Sequence, residues 1–170
     1  MSAGVVIRPA TIEDAPALAL LVAALRAHQN DPIGDLNEAA IRRDGFGEAP
    51  EFSILIAERD RRPIGYALFT NTYEPAFAAK GVYLADLYVR PEARRSGAGR
   101  ALVQAVAAEA RRHNRRFVWW TSLTTNAEAH AFYAALGAIT HELQAHVLGL
   151  DAFGRLADAH GGAETGPASA

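Results

Sequence analysis

The sequence predicts a mixed α/β domain built on one sheet. Three observations carry that prediction. Residues 52–59 (FSILIAER) and 64–72 (IGYALFTNT) are β-prone runs separated by the polar turn 60–63, so they form a hairpin. Residues 82–89 (VYLADLYV) add a third strong strand, closed by Arg90-Pro91. Beyond it, helical and β-prone runs alternate to about residue 148.

The elements follow in order. Residues 5–8 (VVIR) form a short strand ended by Pro9. Thr11, with Asp14 three residues later, makes a capping box, and Leu18, Leu21, Val22 and Leu25 recur at helical spacing, so an amphipathic helix runs to about His28. Residues 29–35 carry Asn, Asp, Pro and Gly and read as a loop, and a short helix over 36–43 stops at Asp44-Gly45. After the meander, 96–114 is a helix, 117–123 (FVWWTSL) a strand, 127–137 a helix closed by glycine, and 139–148 the last strand. The domain spans 1–154, and 155–170 is a C-terminal tail, mobile from 161 on because Gly, Ala, Ser and Pro dominate it.

Composition narrows the function. The chain has 170 residues, 50% of them apolar, enough to bury about 70% of the unfolded surface without disulfide or metal staples. It has no cysteine, which excludes a thiol nucleophile and a thiolate metal site. Seventeen Lys and Arg against nineteen Asp and Glu leave a net charge of −2, too balanced for a dedicated nucleic-acid binder. No apolar run approaches the roughly 18 residues of a membrane span, and Ala17–Leu25 follows acids rather than the basic residues of a secretory signal, so a cytoplasmic protein is expected. His141 and His146 sit five apart on the expected last strand, point to opposite faces and cannot share a metal; no HxxxH, HExxH or GxSxG occurs. Trp119 and Trp120 likewise point to opposite faces, one into the core and the other onto a site wall or an interface.

The segment Arg94-Arg95-Ser96-Gly97-Ala98-Gly99-Arg100 lies between the third strong strand and a helix. Glycines let the backbone approach a ligand, and a helix N-terminus offers unpaired amides at its positive dipole end, so an anion such as a pyrophosphate fits there. A Walker loop would need GxxxxGK[ST], and no lysine or magnesium-holding hydroxyl stands at that spacing. A dinucleotide fingerprint would need a third small residue where Leu102 stands. A plain glycine turn with solvated arginines remains the alternative for the isolated loop.

The RxxGxG pattern of Arg94, Gly97 and Gly99 after VYLADLYV resembles the acetyl-CoA signature of the GCN5-related N-acetyltransferase (GNAT) superfamily. DGFGE, IGYALF, TYEP, YLADLYVRPEARRSGAG and NAEAHAFYAALGA resemble its diamine (spermidine/spermine) and thialysine acetyltransferase branch, in the right order between residues 5 and 150. The resemblance implies the GNAT fold, a central mixed, mostly antiparallel twisted sheet flanked by helices, and direct transfer of acetyl from acetyl-CoA to a primary amine of a small cationic molecule. It implies that the backbone of Leu87, Tyr88 and Val89 pairs with the pantetheine arm. It implies that Arg95, Ser96, Gly97, Ala98, Gly99 and Arg100 wrap the pyrophosphate, and that Arg94, the arginine of the motif, Asn126 and Ala129 also bind the cofactor. Tyr133 is the general acid toward the CoA thiolate. A homodimer is implied, with no metal, nucleic acid or membrane partner.

Asn126, His130 and Tyr133 share one helical face, while Phe132 and Leu136 lie on another and belong to the core. Asp86 is an acid inside an apolar strand, which is costly unless it is paired or lines a cavity, and it is the candidate base or amine-recognition residue. Glu74 is a second acid for a cationic substrate, the alternative being a solvated loop carboxylate. Where diamine acetyltransferases carry Glu-Asp, this chain has Ala85-Asp86, which favours an acceptor smaller than spermine or spermidine. The competing functional class is a CoA-binding module of the same fold that has lost catalysis and acts as a sensor or structural partner.

Overall fold

The computed structural model describes residues 4–30 and 34–161. Five strands form one sheet in the order β1-β2-β3-β4-β5: β1 Val6–Pro9, β2 Ser53–Arg59, β3 Arg62–Glu74, β4 Ala79–Val89 and β5 Val118–Trp119. The first four pair antiparallel and β5 joins β4 in parallel. Pro9 is tolerated because β1 is an edge strand, where a missing amide donor breaks no ladder. The β2–β3 hairpin turns through Asp60 and Arg61, both at positive φ (51° and 60°), the conformation a two-residue turn needs to match strand twist.

The expected meander is present, with β3 and β4 longer than the sequence predicts. Two apolar layers cover its faces. On one, α1 (Ala15–Gln29) buries Leu18, Leu21, Val22 and Leu25 against Ile54, Ile56, Tyr66, Leu68 and Tyr88. On the other, α3 (Ala98–Arg112) buries Ala98, Leu102, Val106 and Ala110, one per turn, against Leu55, Ala57, Ala67, Phe69, Val82 and Leu84. Each fully buried leucine contributes about 1.5–3 kcal/mol.

The start of α1 differs from expectation: a 3-10 turn, Ile12–Asp14, precedes it. The Asp14 carboxylate accepts from the Thr11 amide at 2.8 Å, and it also receives Arg8 at 2.6 Å, while Arg8 Nε reaches Glu58 at 2.9 Å. Arg8 thus ties β1 to β2 and to the entry of α1, and it holds the Asp14 and Glu58 carboxyls below their usual range. The expected helix over 36–43 is a single turn, α2 (Glu38–Ala40), capped by the Asn37 side chain on the Ala40 amide and continued by a π-turn, Ile41–Gly45.

The chain divides into two compact units, Met1–Phe132 and Tyr133–Ala170. The second contains the end of α4 (Ala127–Ala135), closed through Gly137 at φ 83° with the Ala138 amide reaching back to the Tyr133 carbonyl at 3.1 Å. The last strand, expected over 139–148, is absent: residues 138–149 have no regular structure, and Ile139, Leu143 and Val147 are exposed. His141 and His146 therefore do not lie on a strand. The apolar residues of this stretch supply β propensity, but its unit holds no second strand among the described residues to complete a ladder. A helix, α5 (Leu150–Gly161), follows and takes in the first part of the expected tail; residues 162–170 lie outside the described residues.

Candidate functional site

The site begins with one extra residue in β4. Ala67 pairs with Leu87 and Leu68 with Asp86, but Phe69 pairs with Leu84, so Ala85 is a bulge that no residue of β3 opposes. Strict alternation would put residues 82, 84, 86 and 88 on one face. Val82 and Leu84 do pack on the α3 side, whereas Tyr88 packs on the α1 side. Asp86 goes with Tyr88: its carboxylate accepts a hydrogen bond from the buried Tyr66 hydroxyl at 2.8 Å, and Tyr66 belongs to the α1-side core. The bulge thus moves Asp86 off the α3 face, where an acid would sit among Phe69, Val82 and Leu84.

The backbone inverts too. The Val82 amide points to the β5 side, donating to the Phe117 carbonyl at 3.0 Å, while the Arg90 amide points to the β3 side, donating to Ile64 at 2.8 Å. Alternation from Arg90 gives Tyr88 to the β3 ladder and turns Leu87 and Val89 to the opposite edge. β5 pairs with β4 only at Val82 and Tyr83, and among the described residues no strand joins that edge further on. The 2 + 1 division of the three sequence-predicted positions follows: Leu87 turns its amide and carbonyl, and Val89 its amide, to the open edge, and Tyr88 anchors the strand, 6% exposed.

The glycine loop continues from this edge. Arg94 Nε donates to the Val89 carbonyl at 3.2 Å and its guanidinium meets Glu128 at 3.5 Å, so the motif arginine braces the loop against β4. The Ser96 hydroxyl donates to the Ala93 carbonyl at 2.7 Å. Arg95 (φ 59°) and Gly97 (φ 86°) both take the left-handed conformation, which turns the chain into α3. Gly97 is the N-cap of α3 and has no side chain to satisfy the first-turn amides; the first helical bond runs from Ala101 to Gly97. A Cβ at Gly97 would meet nothing within 4 Å, so the space over these amides is open. Gly99 is close-packed instead: its Cβ would lie 3.4 Å from the Phe132 ring. Amides of Ala98, Gly99 and Arg100 at a helix N-terminus, with Arg95 and Arg100 exposed beside them, fit a pyrophosphate group.

Asn126 stands at the N-cap of α4 rather than inside the helix, with its side-chain oxygen accepting from the Ala129 amide at 3.1 Å. Both residues predicted to contact cofactor are thus joined in the cap, and the side-chain amino group of Asn126 is the part left to reach a ligand. Tyr133 lies in the second unit, and burial pushes its phenol above the ordinary value. It stays protonated through the neutral range.

Other sequence candidates fall elsewhere. Glu74 ends β3, six residues beyond the Asp86 pairing position, a separation of about 20 Å along the strand, and caps the following turn through the Ala76 amide at 3.0 Å. The structure does not bring the two acids together. Arg90 donates to the Pro63 carbonyl at 3.3 Å, and His130 is exposed. Trp120 packs against the α3-side core, while Trp119 is 42% exposed and meets Tyr83 at a tilt of 42°, ring centroids 4.8 Å apart. The expected strand over 117–123 shrinks to Val118–Trp119, which pairs with β4 at Val82 and Tyr83. Tyr66 is the residue that sequence reading missed; a tyrosine in an apolar strand gives no sign of its partner. Among the described residues no three potential ligands gather into a metal site, and no helix is long and apolar enough to cross a membrane.

An open strand edge, a glycine turn and a helix start without a side-chain cap follow one another in immediate succession. The chain matches the acetyltransferase (GNAT) family over residues 19–138, and it belongs to that family. It is 34% identical over 111 residues to the thialysine N-epsilon-acetyltransferase of Bos taurus, covering 61% of this chain and 65% of that protein. It is 35% identical over 74 residues to an L-ornithine N5-acetyltransferase of Arabidopsis thaliana, covering 44% and 32% of the two chains. Among solved structures, an integron cassette protein from V. cholerae superimposes with a TM-score of 0.76 at 24% identity, covering 91% of this chain and 98% of that one. The ribosomal-protein-alanine N-acetyltransferase of Brucella melitensis gives 0.70 at 19% identity, covering 86% and 99%. These likenesses show the GNAT fold that the sequence resemblance implies.

Proposed function

We propose that this protein transfers acetyl from acetyl-CoA to a primary amine of a small cationic molecule, a diamine, polyamine or aminoalkyl amino acid. The observation that carries the reading is the continuity of the β4 edge at Leu87 and Val89 with the open amides at Gly97–Arg100: one ligand with an amide-bearing arm and a pyrophosphate matches both. Relatives named for acetylating thialysine and ornithine support an amine on a short aliphatic chain.

Acetyl-CoA would supply an activated acetyl thioester. Leu87 and Val89 would hold the pantetheine arm with the Asn126 amino group, and the first turn of α3, with Arg95 and Arg100, would hold the pyrophosphate. An amine near pKa 10 is mostly protonated at pH 7, and freeing it costs about 4–5 kcal/mol. Asp86, on the open half of β4, recognises the ammonium and receives its proton directly or through water. Tyr133 holds a proton for the departing sulfur, and its raised pKa keeps that proton in place until negative charge develops. No covalent bond to the protein is needed. One acid beside Ala85, with Glu74 distant on the same chain, favours a compact acceptor over spermine. The reading takes the protein as a cytoplasmic homodimer.

The test is acetyl-CoA consumption across putrescine, spermidine, ornithine, thialysine, lysine analogues and aminoglycosides. Acetylation of a short diamine or aminoalkyl amino acid, with spermine poor, is the expected result. Tight acetyl-CoA binding with no turnover on any amine would replace the reading by the non-catalytic module.

A further inference from the structure

We infer that Tyr66 is a positioning residue for amine recognition: it clamps one oxygen of Asp86 and leaves the other to meet the acceptor amine. The inference rests on the acetyltransferase reading above and extends it to a residue in the buried face of the sheet.

Three observations converge. Tyr66 is fully buried, yet its hydroxyl is not stranded, because it lies 2.8 Å from Asp86 Oδ2. A buried phenol without a partner would be unfavourable, so packing the ring tightly also dictates where the hydroxyl's acceptor must be. Second, Asp86 makes no other side-chain hydrogen bond among the described residues, so Oδ1 is left for a ligand. Third, the pair exists only because of the Ala85 bulge. Tyr66 pairs with Tyr88 and Leu68 with Asp86, which places the phenol and the carboxylate diagonally on one face two residues apart. Without the extra residue Asp86 would face α3 and Tyr66 would face α1.

The ring itself cannot wander. It is buried in the α1-side core that also holds Leu18, Leu21 and Ile56, and it lies 6.5 Å from the Tyr88 ring. Burial and the neighbouring Asp86 charge hold the phenol well above its ordinary pKa, with the Arg26 cation of α1 opposing that rise, so Tyr66 remains a donor throughout the working range. A donor of fixed position and fixed protonation gives Asp86 one rotamer. That is worth most to a small acceptor, which has few other contacts to orient it, and it compensates for the missing second acid at position 85.

A mutant cycle tests this, using wild type, Tyr66→Phe, Asp86→Asn and the double variant. The readouts are kcat/KM for the best acceptor among ornithine, thialysine and putrescine, and the acetyl-CoA Kd. Tyr66→Phe keeps the ring and hence the core volume. It is expected to lower kcat/KM for the amine at least tenfold with acetyl-CoA Kd within twofold of wild type. The double variant is expected to match Asp86→Asn, because both substitutions break one unit. Multiplicative losses, or a Tyr66→Phe enzyme within twofold of wild type, would overturn the positioning role alone. A wild type that binds acetyl-CoA and acetylates no amine would overturn the activity and the inference together. Should Tyr66→Phe not fold, Asp86→Ala alone carries a stability test. It leaves the buried phenol without its acceptor, so it should melt below Asp86→Asn, which keeps an acceptor oxygen; equal melting temperatures would overturn the clamp.

Discussion

The two halves of β4 are one continuous strand and do opposite things. From Ala79 to Leu84 the strand pairs with β3, at Val82 and Tyr83 it pairs with β5 as well, and its Val82 and Leu84 side chains lie 1% and 3% exposed in the α3-side core. From Asp86 to Val89 it is paired on one side, turns the Leu87 and Val89 amides to an open edge, and carries its acid against Tyr66 on the other face. One unpaired residue, Ala85, separates them. The lesson is that a bulge exchanges both the side-chain faces and the hydrogen-bonding edges of everything after it, so a strand can serve as core in one half and as ligand platform in the other.

Changes in the open half should alter chemistry and leave folding intact, and changes in the closed half should do the reverse. The largest effect is expected at the proposed proton donor. Tyr133→Phe should lower kcat by about 10²–10⁴-fold with acetyl-CoA affinity retained, checked by steady-state kinetics and calorimetry. In the closed half, Leu84→Ala should cost about 2–5 kcal/mol of stability by denaturant melts, with acceptor preference unchanged.

Gly97→Val probes the platform's far end. It forces a branched residue into φ 86° and fills the space over the first-turn amides, and a loss of about tenfold or more in acetyl-CoA affinity is expected by titration. A smaller effect concerns pH. Asp14 and Glu58 have pKa values held below their unfolded values by Arg8, so their pairing stabilises the fold above about pH 4–5 and that contribution is lost as pH falls through the folded values. Melting temperature should therefore drop on acidification, and Arg8→Ala, costing about 1–3 kcal/mol at neutral pH, should flatten that dependence. Tyr66 and Tyr133 act with the opposite sign: their raised values make stability fall above about pH 10. The smallest change tests the bulge itself. Ala85→Glu, at an exposed position, should leave stability within about 0.5 kcal/mol and raise kcat/KM for spermidine several-fold relative to putrescine.

Much of the site was legible because its chemistry is local. Two glycines one residue apart between a β-prone run and a helical one already describe an amide cradle, and Asp86 stands out as a charge where the strand is otherwise apolar. The rest depended on where a helix begins and on partners distant in sequence. Asn126 reads as a helical residue by spacing, yet its side chain closes the N-terminus of α4. Glu74 reads as a companion to Asp86 by charge, and the β3–β4 register separates them. The stretch 139–148 has strand propensity without a strand partner in its unit among the described residues.

By itself the sequence determined the fold class, the meander, the two amphipathic helices and the glycine turn between strand and helix, since each follows from periodicity, turn residues or backbone freedom within a few consecutive positions. Only the tertiary structure decided which way β4 faces after Ala85, which edge it leaves open, and that Tyr66 meets Asp86. Those outcomes depend on register between strands, and a single unpaired residue changes register without leaving a mark in the local pattern of apolar and polar residues.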